Sequence, residues 1–179
     1  MVKSLSVRDK KKLLDYQSSR IPGFEVLIDN VWDVHNVSAV LRSADGLGVS
    51  KVWLYYTHNE FPDLSKHGKK SSSSASKWVS LEKVLDIKEF LDKKKSEGFT
   101  IIVADYNLEN SSDNTNLLNY SFPDKTLLIL GAEHHGISPE IKALADVSLF
   151  IPMVGLVKSY NISVAAGVLF YEFFKQKNS

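Results

Sequence analysis

The stretch Ile151-Pro152-Met153-Val154-Gly155-Leu156-Val157-Lys158-Ser159-Tyr160-Asn161-Ile162-Ser163-Val164-Ala165-Ala166-Gly167 decides how this chain is read. An apolar run beginning at Val147 closes at its start and an apolar helix opens at its end, so residues 155–160 form a loop between a strand and a helix. Asn161 is placed to cap that helix, because a side-chain amide oxygen can accept a proton from the first helical turn. Ser159 stands just before the cap. A strand end, a glycine bend and a helix N-terminus together make a concave place where backbone amides can hold a ligand. Alone, the same pattern also describes an ordinary strand-turn-helix corner with a capping asparagine.

Outward from this stretch, strands alternate with helices. Strands are expected at residues 24–28, 51–56, 99–104, 126–130 and 147–151. Val37, Val40, Leu41, Ala44 and Leu47 repeat at helical spacing with Asn36 at the cap, and Val84, Ile87, Phe90 and Leu91 mark a helix ending near Gly98. Ser138-Pro139-Glu140 places a cap and a proline at the start of a third helix. Residues 57–77 read as a solvated loop and 107–119 as a polar, irregular one. This alternation predicts an α/β fold, a mostly parallel sheet with helices on both faces. Residues 21–179 are expected to form one domain. Residues 1–20 form a basic helical extension, with Ser6 and Asp9 as a capping pair and Pro22-Gly23 as its stop.

The 179 residues carry a formal net charge of +1, so bulk charge attracts no polyanion. Its distribution is uneven. Lys3, Arg8, Lys10, Lys11, Lys12 and Arg20 outnumber Asp9 and Asp15, and Lys66, Lys69, Lys70 and Lys77 form a second basic cluster without an acid. No cysteine is present, which excludes disulfides and thiolate metal sites. The five histidines are not spaced as helical ligand pairs, so no metal is expected. No apolar window reaches membrane length and the N-terminal residues lack an apolar h-region, which leaves the cytoplasm as the expected compartment.

Two further loops share the carboxyl side of the strands. Gly131-Ala132-Glu133-His134-His135-Gly136 has a glycine at each end, allowing close backbone approach to a ligand, and matches neither a P-loop nor a dinucleotide fingerprint. In an open parallel sheet this loop and the one before Asn161 make the natural binding place. Arg42 is notable because the other two arginines lie within residues 1–20 and a planar guanidinium suits a phosphate or a fixed polar network. A surface arginine beside a core stripe has the same position.

Taken together, Asn36-Val37-Ser38-Ala39-Val40-Leu41-Arg42, Leu130-Gly131-Ala132-Glu133-His134-His135-Gly136 and the opening stretch resemble, in this order, the three motifs of the SpoU/TrmH-type ribose 2′-O-methyltransferases of the SPOUT superfamily. The resemblance covers about residues 24–175 and is nearest to the group that methylates the D-loop guanosine at tRNA position 18. It implies a C-terminal trefoil knot, S-adenosylmethionine as cofactor, RNA (tRNA above all) as partner, and a homodimer through the last helix whose active site receives residues from both chains. It implies catalytic roles for Asn36, Arg42, Glu133, Ser159 and Asn161. Cofactor contacts are implied for Ala104, Leu130, Gly131, Ala132, Glu133, Gly136, Ile151, Met153, Tyr160 and Asn161. RNA would be held by Lys10, Lys11, Lys12, Lys69, Lys70 and Arg42. The chain departs from the pattern at Tyr160, where leucine is usual, and at Val34, where many members have proline. The alternatives are methylation of another tRNA or rRNA nucleotide, or an RNA-binding module without activity.

Overall fold

In the structure, a computed structural model describing residues 19–58, 60–62, 79–105, 114–133 and 135–179, the apolar run at 24–28 becomes an interior strand of a parallel sheet. The elements are β1 (Ile21–Asp29), α1 (Val34–Gly46), β2 (Val49–Tyr55), β3 (Ser80–Val84), α2 (Ile87–Ser96) and β4 (Thr100–Ala104). They continue with β5 (Asn114–Asn116), a short 3-10 helix (Leu117–Asn119), β6 (Thr126–Gly131), α3 (Pro139–Leu144), β7 (Val147–Phe150) and α4 (Ile162–Lys177). Among the described residues the strand order is β3-β2-β1-β6-β4-β7-β5, and every pairing is parallel. The expected α/β architecture is therefore present, with parallel pairing throughout.

The period-two geometry of a strand explains the continuous apolar runs, since both faces of the sheet are covered. Val26, Ile28, Val52, Leu54, Ile102, Leu128 and Leu130 turn toward α1 and α4, while Leu27, Ile101, Val103, Leu127 and Ile129 turn toward α2 and α3. Phe24 stacks on Phe173 of α4 with ring centroids 3.8 Å apart and meets Phe170 edge-on at 5.7 Å. On the other face, Lys94 is buried, 2.8 Å from Glu25 and 3.0 Å from Glu97, over the rings of Trp53 and Phe99.

Several local expectations shift. The cap of α1 is Asp33, whose side chain accepts from His35 N at 2.8 Å, and Asn36 is already helical. Asn36 is thereby released from capping and points its amide elsewhere. Val84 ends β3 and does not open a helix, and the polar segment before residue 119 contains β5, because Asn114 to Asn116 pair with the edge of β7. The cap position Ser138 has Pro139 behind it, as expected, but makes no side-chain capping bond. The basic extension through residue 18, its capping pair, and the cluster Lys66, Lys69, Lys70 and Lys77 lie outside the described residues.

Two elements fix the ends of the helical layer. Arg20 caps the C-terminus of α1, donating to Ala44 O (3.1 Å), Asp45 O (3.2 Å) and Val49 O (3.0 Å) while pairing with the Asp45 carboxylate at 2.8 Å. The chain returning from the edge strand β5 toward β6 runs along the last turn of α4. There Gln176 donates to Tyr120 O (2.8 Å) and accepts from Phe122 N (2.9 Å), and Lys177 holds Phe122 O (2.9 Å) and Asp124 (2.7 Å).

Candidate active site

The carboxyl ends of β4, β6 and β7 open into a cavity of about 230 Å³ whose outer wall is the loop 151–161 and the first turn of α4. All ten residues expected to hold a cofactor line it. Sequence reading missed Asp105, Leu149, Ile162 and Ala165. Asp105 had a usable signal: it follows β4 directly, at the edge where parallel sheets bind ligands. Its buried carboxylate is ion-paired with Lys142 of α3.

The side chains at the mouth are connected in series. Asn36 Nδ2 donates to Glu133 Oε1, and Asn161 Nδ2 donates to Asn36 Oδ1 at 3.2 Å. Asn161 caps α4 as expected, its Oδ1 accepting from Ser163 N (2.9 Å) and Ser163 Oγ (2.7 Å). One helix residue thus ties together the two loops that form the cavity. Asn36 makes these bonds from the first turn of α1, which Asp33 caps.

The loop between β6 and α3 is folded back on itself. Ala132 N donates to Gly136 O (3.0 Å) and Gly136 N to Ala132 O (2.8 Å). A Cβ on Gly131 would sit 2.4 Å from the Gly136 carbonyl carbon, and Gly136 adopts φ +66°. The absence of a side chain at Gly131, which lines the cavity, also permits this closure of the loop. His134 lies outside the described residues, while His135 is exposed.

Ser159 and Tyr160 line the cavity beside Asn161. Arg42 does not. Six residues beyond Asn36 it stands about 9 Å along the helix and about 120° around it, and it is exposed. The residues of α1 therefore split between the cavity and an outer surface. On α4, Val164, Val168, Tyr171 and Phe174 are exposed in one stripe while Ile162, Leu169 and Phe170 are buried. Val154, Leu156 and Val157 are exposed in the adjoining loop.

Fold and cavity define an α/β protein that binds a small ligand at the carboxyl edge of a parallel sheet. The description of the SpoU rRNA Methylase family matches residues 23–171. The tRNA (guanosine(18)-2'-O)-methyltransferase of Aquifex aeolicus is 36% identical over 167 residues, spanning 93% of this chain and 76% of that protein. The crystal structure of the A. aeolicus TrmH/SpoU tRNA modifying enzyme superposes with a TM-score of 0.82 at 31% identity, over 94% of this chain and 84% of that one. The SpoU methyltransferase AviRb of Streptomyces viridochromogenes, solved in complex with AdoMet, gives 0.74 at 26%, over 89% and 61%.

The chain belongs to the SpoU rRNA Methylase family. With that membership it is an S-adenosylmethionine-dependent RNA methyltransferase. The lining fits that cofactor: Leu130, Leu149, Ile151 and Met153 offer an apolar bed for a purine, and its charged side chains are the two acids Asp105 and Glu133. Lys142 already meets the charge of Asp105, so Glu133 is the acid that would offer a negative charge to the cofactor's sulfonium or ammonium.

Proposed function

We propose that the chain methylates the ribose 2′-hydroxyl of a guanosine in the D-loop of tRNA, at position 18. The series Glu133–Asn36–Asn161 at the cavity mouth carries this reading, since it joins the three resembling motifs into one site. Identity to the Aquifex enzyme over nearly the whole chain supports the substrate. Bound in the cavity, S-adenosylmethionine supplies an electrophilic methyl group, so the protein's task is alignment and removal of one proton.

Asn36 holds both cavity loops and so sets where an incoming hydroxyl meets the methyl. Its amide is engaged with Glu133 and Asn161. Ser159, exposed at the rim, binds a phosphate of the RNA. Arg42 binds the phosphate next to the target ribose and polarises its hydroxyl, the fork of its guanidinium donating to two oxygens. Since Arg42 faces away from the cavity of its own chain, it serves the cavity of a second copy. A homodimer packed through the exposed stripe Val164, Val168 and Tyr171 brings the two together. The C-terminal trefoil knot belongs to the same reading, supported by the return of residues 120–124 along the end of α4. The basic residues Lys10, Lys11, Lys12, Lys69 and Lys70 supply the salt-dependent share of tRNA affinity.

Incubating the purified protein with unmodified tRNA and methyl-labelled S-adenosylmethionine, then mapping 2′-O-methyl groups, tests the substrate. Label at guanosine 18, lost when that nucleotide carries a 2′-deoxyribose, is the expected result. Label elsewhere, or only in ribosomal RNA, overturns it.

A further inference from the structure

The mechanism leaves unused the one buried acid at the carboxyl end of β1. Asp29 is fully buried and belongs to no site motif. In the sheet it stands beside Gly131, where the cofactor loop begins, and beside Tyr55, where β2 ends. Its carboxylate meets the other end of the same loop: Oδ2 accepts from Ser138 N at 2.7 Å and Oδ1 from Ser138 Oγ at 3.0 Å. This is why Ser138 caps α3 in position only, its hydroxyl being turned to Asp29.

Asn30 completes the junction. It is the one non-glycine residue with positive φ among those described, at +52°, a conformation asparagine tolerates. That turn lets its Nδ2 donate to Asp29 Oδ1 (2.8 Å) and Thr57 Oγ1 (3.1 Å) while its Oδ1 accepts from Thr57 N (2.8 Å) and His58 N (3.1 Å). Three donors converge on one carboxylate, and a neutral amide in its place would set an N–H against a donor in either orientation.

We propose that Asp29 is a positioning residue for the methyl donor: by holding Ser138 it keeps the loop 131–138 folded back with Glu133 toward Asn36 and Gly131, Ala132 and Gly136 against the cavity. The proposal rests on the reading of that cavity as the S-adenosylmethionine site. Both ends of the loop are fixed at one residue, one by the backbone ladder and one by the side chain, so loosening Asp29 loosens the cavity wall while the sheet beneath keeps its hydrophobic packing. The acid touches no reactant.

Calorimetry with S-adenosylmethionine, beside tRNA affinity and amide hydrogen exchange, decides the matter. Asp29→Asn is expected to weaken cofactor binding at least tenfold and speed exchange within 131–138, with tRNA affinity unchanged. Ser138→Ala, which keeps the backbone bond and loses the hydroxyl, is expected to weaken it three- to tenfold, and Ser138→Thr to restore it. Should Asp29→Asn not fold, the serine pair carries the test. Cofactor affinity within twofold of wild type in the folded variants overturns the proposal. Failure of the wild-type protein to bind S-adenosylmethionine at all overturns the cavity reading instead.

Discussion

Reversing the polarity of the hydrogen bond between Asn36 and Glu133 separates two roles that a single substitution confuses. Asn36→Asp removes the donor facing Glu133 and leaves two carboxylates opposed, while its remaining oxygen can still accept from Asn161. A hydrogen bond to a charged group contributes about 1.5–3 kcal/mol, and the exposed rim places this one near the lower value. Two like charges about 3 Å apart in a water-like dielectric repel by about 1.4 kcal/mol. Together these approach about 3 kcal/mol, roughly a hundredfold in kcat/KM. Lower pH should return part of that loss, since two facing carboxylates come to share a proton. Glu133→Gln alone keeps an acceptor for Asn36 and should lose only about fivefold, or about 1 kcal/mol. Combining Asn36→Asp with Glu133→Gln restores a charge-assisted bond running the other way, and should bring kcat/KM within about tenfold of wild type. Initial rates of methyl transfer to tRNA for the four proteins give the coupling energy directly. A double variant as poor as the product of the single losses would refute the reasoning, and would mean that the Glu133 charge acts on the cofactor itself.

Arg42→Lys keeps the charge but loses the planar fork, so it should nearly abolish methylation with S-adenosylmethionine affinity intact; near-normal turnover would make Arg42 a surface residue only. Val168→Asp puts a charge into the exposed stripe of α4, and sedimentation should show a monomer without activity; an active monomer sinks the shared site. Lys94→Met leaves the Glu25 carboxylate poorly compensated in an aromatic surround, and should cost about 3–5 kcal/mol, or roughly 6–20 °C in Tm, with partial recovery when Glu25→Leu is added. A loss below about 1 kcal/mol would show that the pair is hydrated. Burial raises the carboxyl of Asp29 above its ordinary range, against the hydrogen bonds from Ser138 and Asn30 that lower it. The folded state then holds this proton to higher pH than the unfolded chain, so this group's contribution to stability falls as pH rises from about 4 through the raised value. Denaturant midpoints between pH 4 and 7 should fall less steeply in Asp29→Asn than in wild type; parallel curves would contradict the shift.

Backbone periodicity made the sheet legible before any coordinates, because strands buried on both faces must be apolar without interruption and the turns between them must not. Strand order was not legible. The insertion of β6 between β1 and β4 depends on pairings among distant residues such as Asp29 with Gly131, for which local sequence carries no signal. β5 escaped because Asn114 and Asn116, two of its three residues, have little strand propensity and it lies at the edge of the sheet. The cavity residues came through motif resemblance, and Asp33 was overlooked as the cap because Asn36 has the same capping chemistry three residues later. The Asp29 junction was hidden for a plainer reason: an acid at a strand end reads as an ordinary turn residue until Ser138 is seen beside it.

The stacking of Phe173 on Phe24 joins residues near opposite ends of the chain, and everything that α4 packs against leaves the ribosome before α4 does. Until then the α1 side of β1, with Phe24, Val26 and Ile28, lacks the cover that α4 supplies. Contacts of such sequence separation form slowly, because a long loop must close before they contribute. The nascent protein therefore carries an open hydrophobic face through most of its synthesis, and Asn161 and the outer wall of the cavity arrive with the same late segment. The cavity is closed on that side only once this segment has docked.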